Sequence, residues 1–157
     1  MIVLVMGVAG VGKTTIGEAL ARELGWRFLD ADEYHPPANV AKMKAGIPLE
    51  DADRSPWLEK LNSVLKSEDN AVLACSALKE AYRQKLASGL KNFQIVYLHG
   101  SADLIRARMT RRSHRFMPAA LLESQLAALE PPARAIAIDV AAEPSTCVAA
   151  IMDRLKE

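Results

Sequence analysis

Residues 7–15 read "GVAGVGKTT", directly after the apolar run "IVLVM" at 2–6. Gly7, Gly12, Lys13 and Thr14 match the spacing G-x-x-x-x-G-K-[ST], which needs a strand before it and a helix after it. The glycines let the backbone from Gly7 through Val8, Ala9, Gly10, Val11 and Gly12 curl until successive N–H groups converge on phosphate oxygens. The helix beginning near Lys13 turns its positive end toward the same anion. Lys13 can reach the bridge between the last two phosphates, and the hydroxyl of Thr14, with Thr15 beside it, can reach an accompanying Mg²⁺. A chain organised around this element is expected to be α/β, with its first strand ending at a nucleoside triphosphate.

The rest of the chain keeps the same rhythm. Runs at 2–6, 27–30, 71–75, 93–98 and 135–140 read as strands. Most lack polar/apolar alternation, as expected of strands buried on both faces of a parallel sheet. Ile16, Leu20 and Leu24 make an apolar helical stripe that stops at Gly25. Residues 79–88, 102–112, 118–129 and 145–156 also read as helices. Alternating strands and helices predict a three-layer α/β sandwich. Two segments interrupt it: 33–68, with about two helices in place of one, and the basic "RRSHRFMP" at 111–118. Both would project from the carboxyl ends of the strands, where ligands of open α/β sheets collect. At 157 residues with no linker-like tract, 1–157 is expected to be a single domain.

Composition narrows the partners. A formal net charge of +1 gives no global field for nucleic acid or an anionic membrane. No apolar run approaches the roughly 20 residues of a membrane-spanning helix. The opening "MIVLVMGVAG" lacks the basic start of a signal peptide. Cys75 and Cys147 show no metal-ligand spacing and read as small buried hydrophobes in a reducing compartment, so a cytoplasmic location is expected.

The acids that follow the second strand carry the next signal. "FLDADEYHPP" places Asp30, Asp32 and Glu33 within four positions. Crowded carboxylates call for a cation, a hydroxyl-rich ligand or bulk water. The third strand ends "ACSALK", without the carboxylate often found there, so Asp30 is the expected supplier of a metal-side acid. Asp32 would then take the acceptor hydroxyl, as base or positioning group. The plainer alternative is a solvated turn with aspartate as its cap. His35 reads either as a turn histidine or as part of this site, and Trp57 reads as core. Arg54 reads either as a surface ion pair or as a two-pronged clamp on an acidic acceptor.

Taken together, "MGVAGVGKTT", "FLDADEYHPPANVAKMKAGIPLEDADRSPWL", "CSALKEAYR", "VYLHG" and "FMPAALLESQLAALEPP" resemble the gluconate kinases of the small P-loop family, which is related to shikimate kinase. The resemblance runs along nearly the whole chain. It implies a three-layer P-loop NTPase fold on a five-stranded parallel sheet, with a helical substrate-binding lobe at 33–68 and a short lid at 111–118. It implies ATP- and Mg²⁺-dependent phosphorylation of D-gluconate at the 6-hydroxyl, and a homodimer, which family members often form. By position, Gly7 to Thr14 would hold the triphosphate, Thr14 and Asp30 the metal, and Asp32 the acceptor. Arg54 and Lys79 would hold the acceptor carboxylate, although Lys79 and Arg83 also read as solvated helix positions. Arg108 and Arg112 would swing over the phosphates from the lid, unless they are a solvated basic face. The chain departs from the family where Arg115 replaces a usual histidine, with His114 one place early, and where Ala141 replaces a common acid.

Other readings fit these residues less well, a nucleoside monophosphate kinase among them, since it would want more arginine and less acid in 30–53. Shikimate kinases carry a Gly-Gly-Gly run after the third strand, and this chain has none. A GTP switch would want D-x-x-G and N-K-x-D, and neither string occurs. A regulatory ATP-binding module stays open on sequence, but paired acids and a basic lid are costly in a protein that transfers nothing.

Overall fold

The computed structural model describes the backbone of residues 1–111 and 119–157, and side chains outside 111–120. The segment expected to form a lid, with Arg112, His114 and Arg115, lies outside the described side chains. Five strands make one sheet: β1 (Ile2–Met6), β2 (Arg27–Asp30), β3 (Ala71–Ala74), β4 (Phe93–His99) and β5 (Ile136–Asp139). Their order is β2-β3-β1-β4-β5, and every pair is parallel. The helices are α1 (Lys13–Leu24), α2 (Pro37–Lys44), α3 (Asp51–Lys66), α4 (Glu80–Ala87), α5 (Ala102–Arg111), α6 (Ala119–Ala128) and α7 (Pro144–Leu155).

Hydrophobic runs without alternation fall at the centre of the sheet, as their burial demands. Every residue of β1 and β3 is buried, whereas the edge strand β5 alternates buried and exposed. The two-residue period of β1 then divides its side chains between two cores. Val3 and Val5 face a cluster with Ile16 and Leu20 of α1, Ile105 of α5 and Ile151 of α7. Ile2, Leu4 and Met6 face the other, with Leu58, Leu61 and Leu65 of α3 and Leu86 of α4. Each such side chain withdrawn from water contributes about 1.5–3 kcal/mol, which is why these two faces fix the three layers.

The insertion between β2 and β3 is tied together by polar side chains. A 3-10 turn (Ala31–Tyr34) leads into α2, with Pro37 at its first position where the missing N–H is harmless. The amide of buried Asn39 donates to the Asp53 carbonyl at 2.9 Å. Lys42 holds the Asp53 carboxylate at 2.8 and 3.0 Å, and that carboxylate also accepts the Glu50 N–H at the start of α3. Trp57, only 6% exposed, donates its indole N–H to the Ala31 carbonyl at 2.7 Å. The indole is therefore core, and it pins α3 to the end of β2.

Candidate active site

Strand order decides what stands near the glycine turn. The chain leaves β1 toward β3 and β2 on one side, and β4 and β5 lie on the other, so a crevice opens above the carboxyl end of β1. Gly10 (φ 87°) and Gly12 (φ 97°) take left-handed conformations that let the backbone curl there. A Cβ on Gly10 would also lie 2.8 Å from Met109 Cγ of α5. Thr14 and Thr15 are exposed at the first turn of α1. Lys13 folds back across the loop and donates to the Val8 carbonyl at 3.1 Å.

The acids at the end of β2 share this edge. Registers Val5↔Ala74 and Asp30↔Ala74 set Asp30 level with the last residues of β1, with β3 between them. Two strand spacings make that gap about 10 Å between backbones. Burial lowers the Lys13 pKa, opposed by Cys75 at the end of β3 and then by the charges of Asp32 and Asp30. Cys75 is a buried thiol, with burial pushing its pKa up to about 12, so it packs as an inert small group.

Asp30 Oδ1 accepts the Asp32 N–H at 3.0 Å, so Asp30 does cap the 3-10 turn. That bond uses Oδ1 alone. Asp32 stands at the mouth of the crevice. Desolvation raises its pKa, Asp30 raises it further, and His35 and Lys13 oppose the rise. The imidazole of His35 stacks on Trp57 with ring centroids 4.1 Å apart and planes 13° apart. Asn39 Nδ2 lies 3.2 Å from His35 Nδ1 and also donates to a carbonyl, so Nδ1 accepts and the ring proton sits on Nε2. Burial lowers the His35 pKa, against the pull of Asp32 and with a push from Arg54. The ring is thus a neutral wall of the crevice near neutrality.

Arg54 meets an exposed carboxylate, Asp51, whose electrostatic surroundings also include Lys79. Arg54 Nη1 lies 3.3 Å from the Tyr82 hydroxyl and 3.6 Å from Asp51 Oδ1. Tyr82 donates to Asp51 at 2.6 Å, which holds the Asp51 carboxyl below its usual range, with Lys79 and Arg54 adding to the effect. Neither Tyr82 nor Asp51 was singled out in the sequence. Asp51 looks there like any acid at a helix start, and Tyr82 like any helix residue.

Arg83 is neither solvated nor aimed at the crevice. Its side chain is 2% exposed and donates to the carbonyls of Ala77 and Glu130, both at 2.8 Å, and to the Glu80 carboxylate at 2.9 Å. It fixes the loop after β3, where Ala77 has a positive φ of 43°. Arg83→Met leaves the buried Ala77 carbonyl and the half-buried Glu130 carbonyl without this partner, and an unfolding free energy lower by about 1–3 kcal/mol is expected in urea titrations. A midpoint equal to that of the parent protein would refute the clamp.

Arg108 lies on the other side of the glycine turn. Its guanidinium donates to the Val140 carbonyl, and it lines a cleft with Gly10, Gly12, Thr15, Ala142 and Pro144. It therefore sits between the glycine turn and the loop after β5. Among the described residues no group of three or more His, Cys, Asp or Glu side chains could hold a metal ion by itself.

The family model for shikimate kinase matches residues 9–151. A gluconokinase of Gluconobacter oxydans (strain 621H) is 49% identical over 133 residues, covering 82% of this chain and 75% of that protein. A probable gluconokinase of Xenopus tropicalis is 45% identical over 173 residues, covering 96% and 91%. The crystal structure of a gluconokinase from Sinorhizobium meliloti 1021 superposes with a TM-score of 0.91 at 43% identity, covering 98% of this chain and 90% of that one. Shikimate kinase from Aquifex aeolicus shares the fold, with a TM-score of 0.63 at 16% identity. Likeness of this extent, on a glycine turn faced by the acids of β2, makes the chain a member of the gluconokinase family of small P-loop kinases, related to shikimate kinase.

Proposed function

We propose that the protein transfers the terminal phosphoryl group of ATP to the 6-hydroxyl of D-gluconate, giving 6-phospho-D-gluconate and ADP. The observation that carries this reading is the register of the sheet, which sets Asp30 and the turn bearing Asp32 level with the end of β1, where the glycine turn begins. Identity of 49% and 45% to gluconokinases supports the choice of acceptor. Backbone N–H groups of residues 7–15 cradle the triphosphate, and Lys13 neutralises charge gathering between its last two phosphates. Asp32 aligns the acceptor hydroxyl and takes its proton as the new P–O bond forms and the bond to ADP breaks. A carboxyl with a raised pKa suits this role better than an ordinary aspartate, because it is the stronger base.

The donors present fit Mg²⁺. That ion needs only one or two protein oxygens when it arrives with a nucleotide, and the exposed Thr14 hydroxyl and the second oxygen of Asp30 supply them. When bound, it would neutralise phosphate charge. Arg54 and Lys79 would receive the gluconate carboxylate, which replaces Asp51 as the anion they serve. Arg108 and Arg112 would complete the ATP site from the lid side. Residues 33–68 form the acceptor lobe of a single domain. Two buried free cysteines fit a reducing cytoplasm, and no helix among the described residues is long and apolar enough to cross a membrane.

ADP release with Mg-ATP, measured against gluconate, shikimate, other sugar acids, neutral sugars and nucleoside monophosphates, tests the proposal. Gluconate-dependent turnover is the expected result. Turnover with shikimate alone, or tight ATP binding with no acceptor consumed, would replace it. Within the same assay, Arg54→Ala is expected to raise the KM for gluconate by about 10–100-fold, the loss of a charge-assisted contact. The KM for ATP should stay within about threefold, since Arg54 sits on α3 with Tyr82 and Asp51 as its partners. Equal changes in both constants would remove Arg54 from the acceptor site.

A further inference from the structure

One N–H of the glycine turn is taken by a side chain from far along the chain. Gln125 Oε1, on α6, accepts the Ala9 N–H at 2.6 Å across 116 positions of sequence. Ala9 is 6% exposed, so its N–H has no ready access to bulk water and would be left unpaired without this partner. Beyond α6, Glu130 donates its N–H to the Leu78 carbonyl at 2.8 Å, and its carboxylate accepts the Glu80 N–H at 2.9 Å. Arg83 closes the same joint through the carbonyls of Ala77 and Glu130. One segment, 125–130, therefore grips the ATP-side loop at one end and the loop after β3 at the other.

We propose that Gln125 is a positioning residue for phosphoryl transfer, holding the Ala9 N–H so that the phosphate loop keeps its shape in register with the loop after β3. The idea rests on the reading of the protein as an ATP-dependent kinase. An amide suits the position because it accepts without charge. A carboxylate would set a negative group beside the phosphates, and an apolar chain would orphan the N–H. The bond commits that N–H to the protein, so the remaining donors of residues 7–15 need less reorganisation when the triphosphate arrives.

The test uses Gln125→Met, which keeps the length and loses the carbonyl, and Gln125→Glu, which keeps an acceptor and adds charge. ATP affinity is measured by calorimetry without acceptor, kcat and both KM values by ADP release, and Tm by calorimetry. For Gln125→Met we expect ATP binding weaker and kcat lower, each by about tenfold, with the KM for gluconate within about twofold. Gluconate-independent ATP hydrolysis should rise as a share of total ATP consumption. For Gln125→Glu we expect kcat to recover toward the parent at saturating ATP, with ATP affinity lowered further and made more salt-dependent. Parent-like or tighter ATP binding by Gln125→Met would overturn the proposal, because the amide would then be idle or competing with phosphate. So would losses in all constants that simply track a lower Tm in both variants. If no acceptor supports ATP consumption by the parent protein, the kinase reading fails instead, and the binding measurements still judge the Ala9 contact.

Discussion

Lys13→Met is expected to lower kcat by roughly 10³-fold, the scale of losing a fixed cationic donor aimed at charge that develops in the transition state. The KM for gluconate should change far less. The same substitution is expected to raise the Tm of the ligand-free protein at neutral pH. Burial lowers the Lys13 pKa in the folded state, so the ammonium is better tolerated in the unfolded chain. That penalty is full below the folded pKa and fades as pH rises toward the ordinary lysine value of 10.5, because the unfolded chain then binds more protons. Methionine keeps the packing of the stem and removes the charge. Calorimetry at pH 7 and steady-state kinetics check both halves, and a variant that is less stable and fully active would contradict the placement of this lysine.

Asp32→Asn should show the second largest loss, about 10²–10⁴-fold in kcat, with ATP affinity nearly unchanged. Its stability effect has a sign that a merely structural acid would not give. The folded-state pKa of Asp32 lies above 3.8, raised by desolvation and then by Asp30. The folded form therefore holds the proton longer than the unfolded chain, and stability falls as pH rises from 3.8 through the folded value. Asparagine removes that dependence, so the variant should be at least as stable as the parent at pH 7 and should lose its advantage near pH 3. A variant of unchanged kcat, or one destabilised at pH 7 and restored by acid, would take Asp32 out of the reaction. Lys13 and Asp32 would each exchange stability for activity, the pattern expected where charges are gathered before a ligand arrives.

What could be seen in the letters follows from how local each cause is. The glycine turn, the strands and the stop at Gly25 depend on neighbours within a few positions, and β1 and β2 begin and end where their apolar runs do. The aspartates at 30 and 32 were visible because a strand end and a turn were both local. Their nearness to the glycine turn follows from the general rule for doubly wound sheets, whereas the placing of β3 between β1 and β2 shows only in the fold. Arg83 reads as a solvated helix position because the carbonyls it serves come from the preceding loop and from Glu130. The Ala9–Gln125 bond spans 116 positions and leaves no periodic trace in either segment. The start of α3 was equally obscure, because Pro56 falls inside that helix. There a proline removes one bond of the helical ladder, and the buried face around Trp57 and Leu58 outweighs it.

The fastening of Asn39 and Lys42 onto Asp53 has a mechanical meaning. With those three contacts made, α2 and the beginning of α3 form one piece, a jaw anchored by the indole bonded to Ala31. A jaw of that kind can change the molecule it bites by altering residues on its inner surface, while the anvil of glycines beneath it stays as it is.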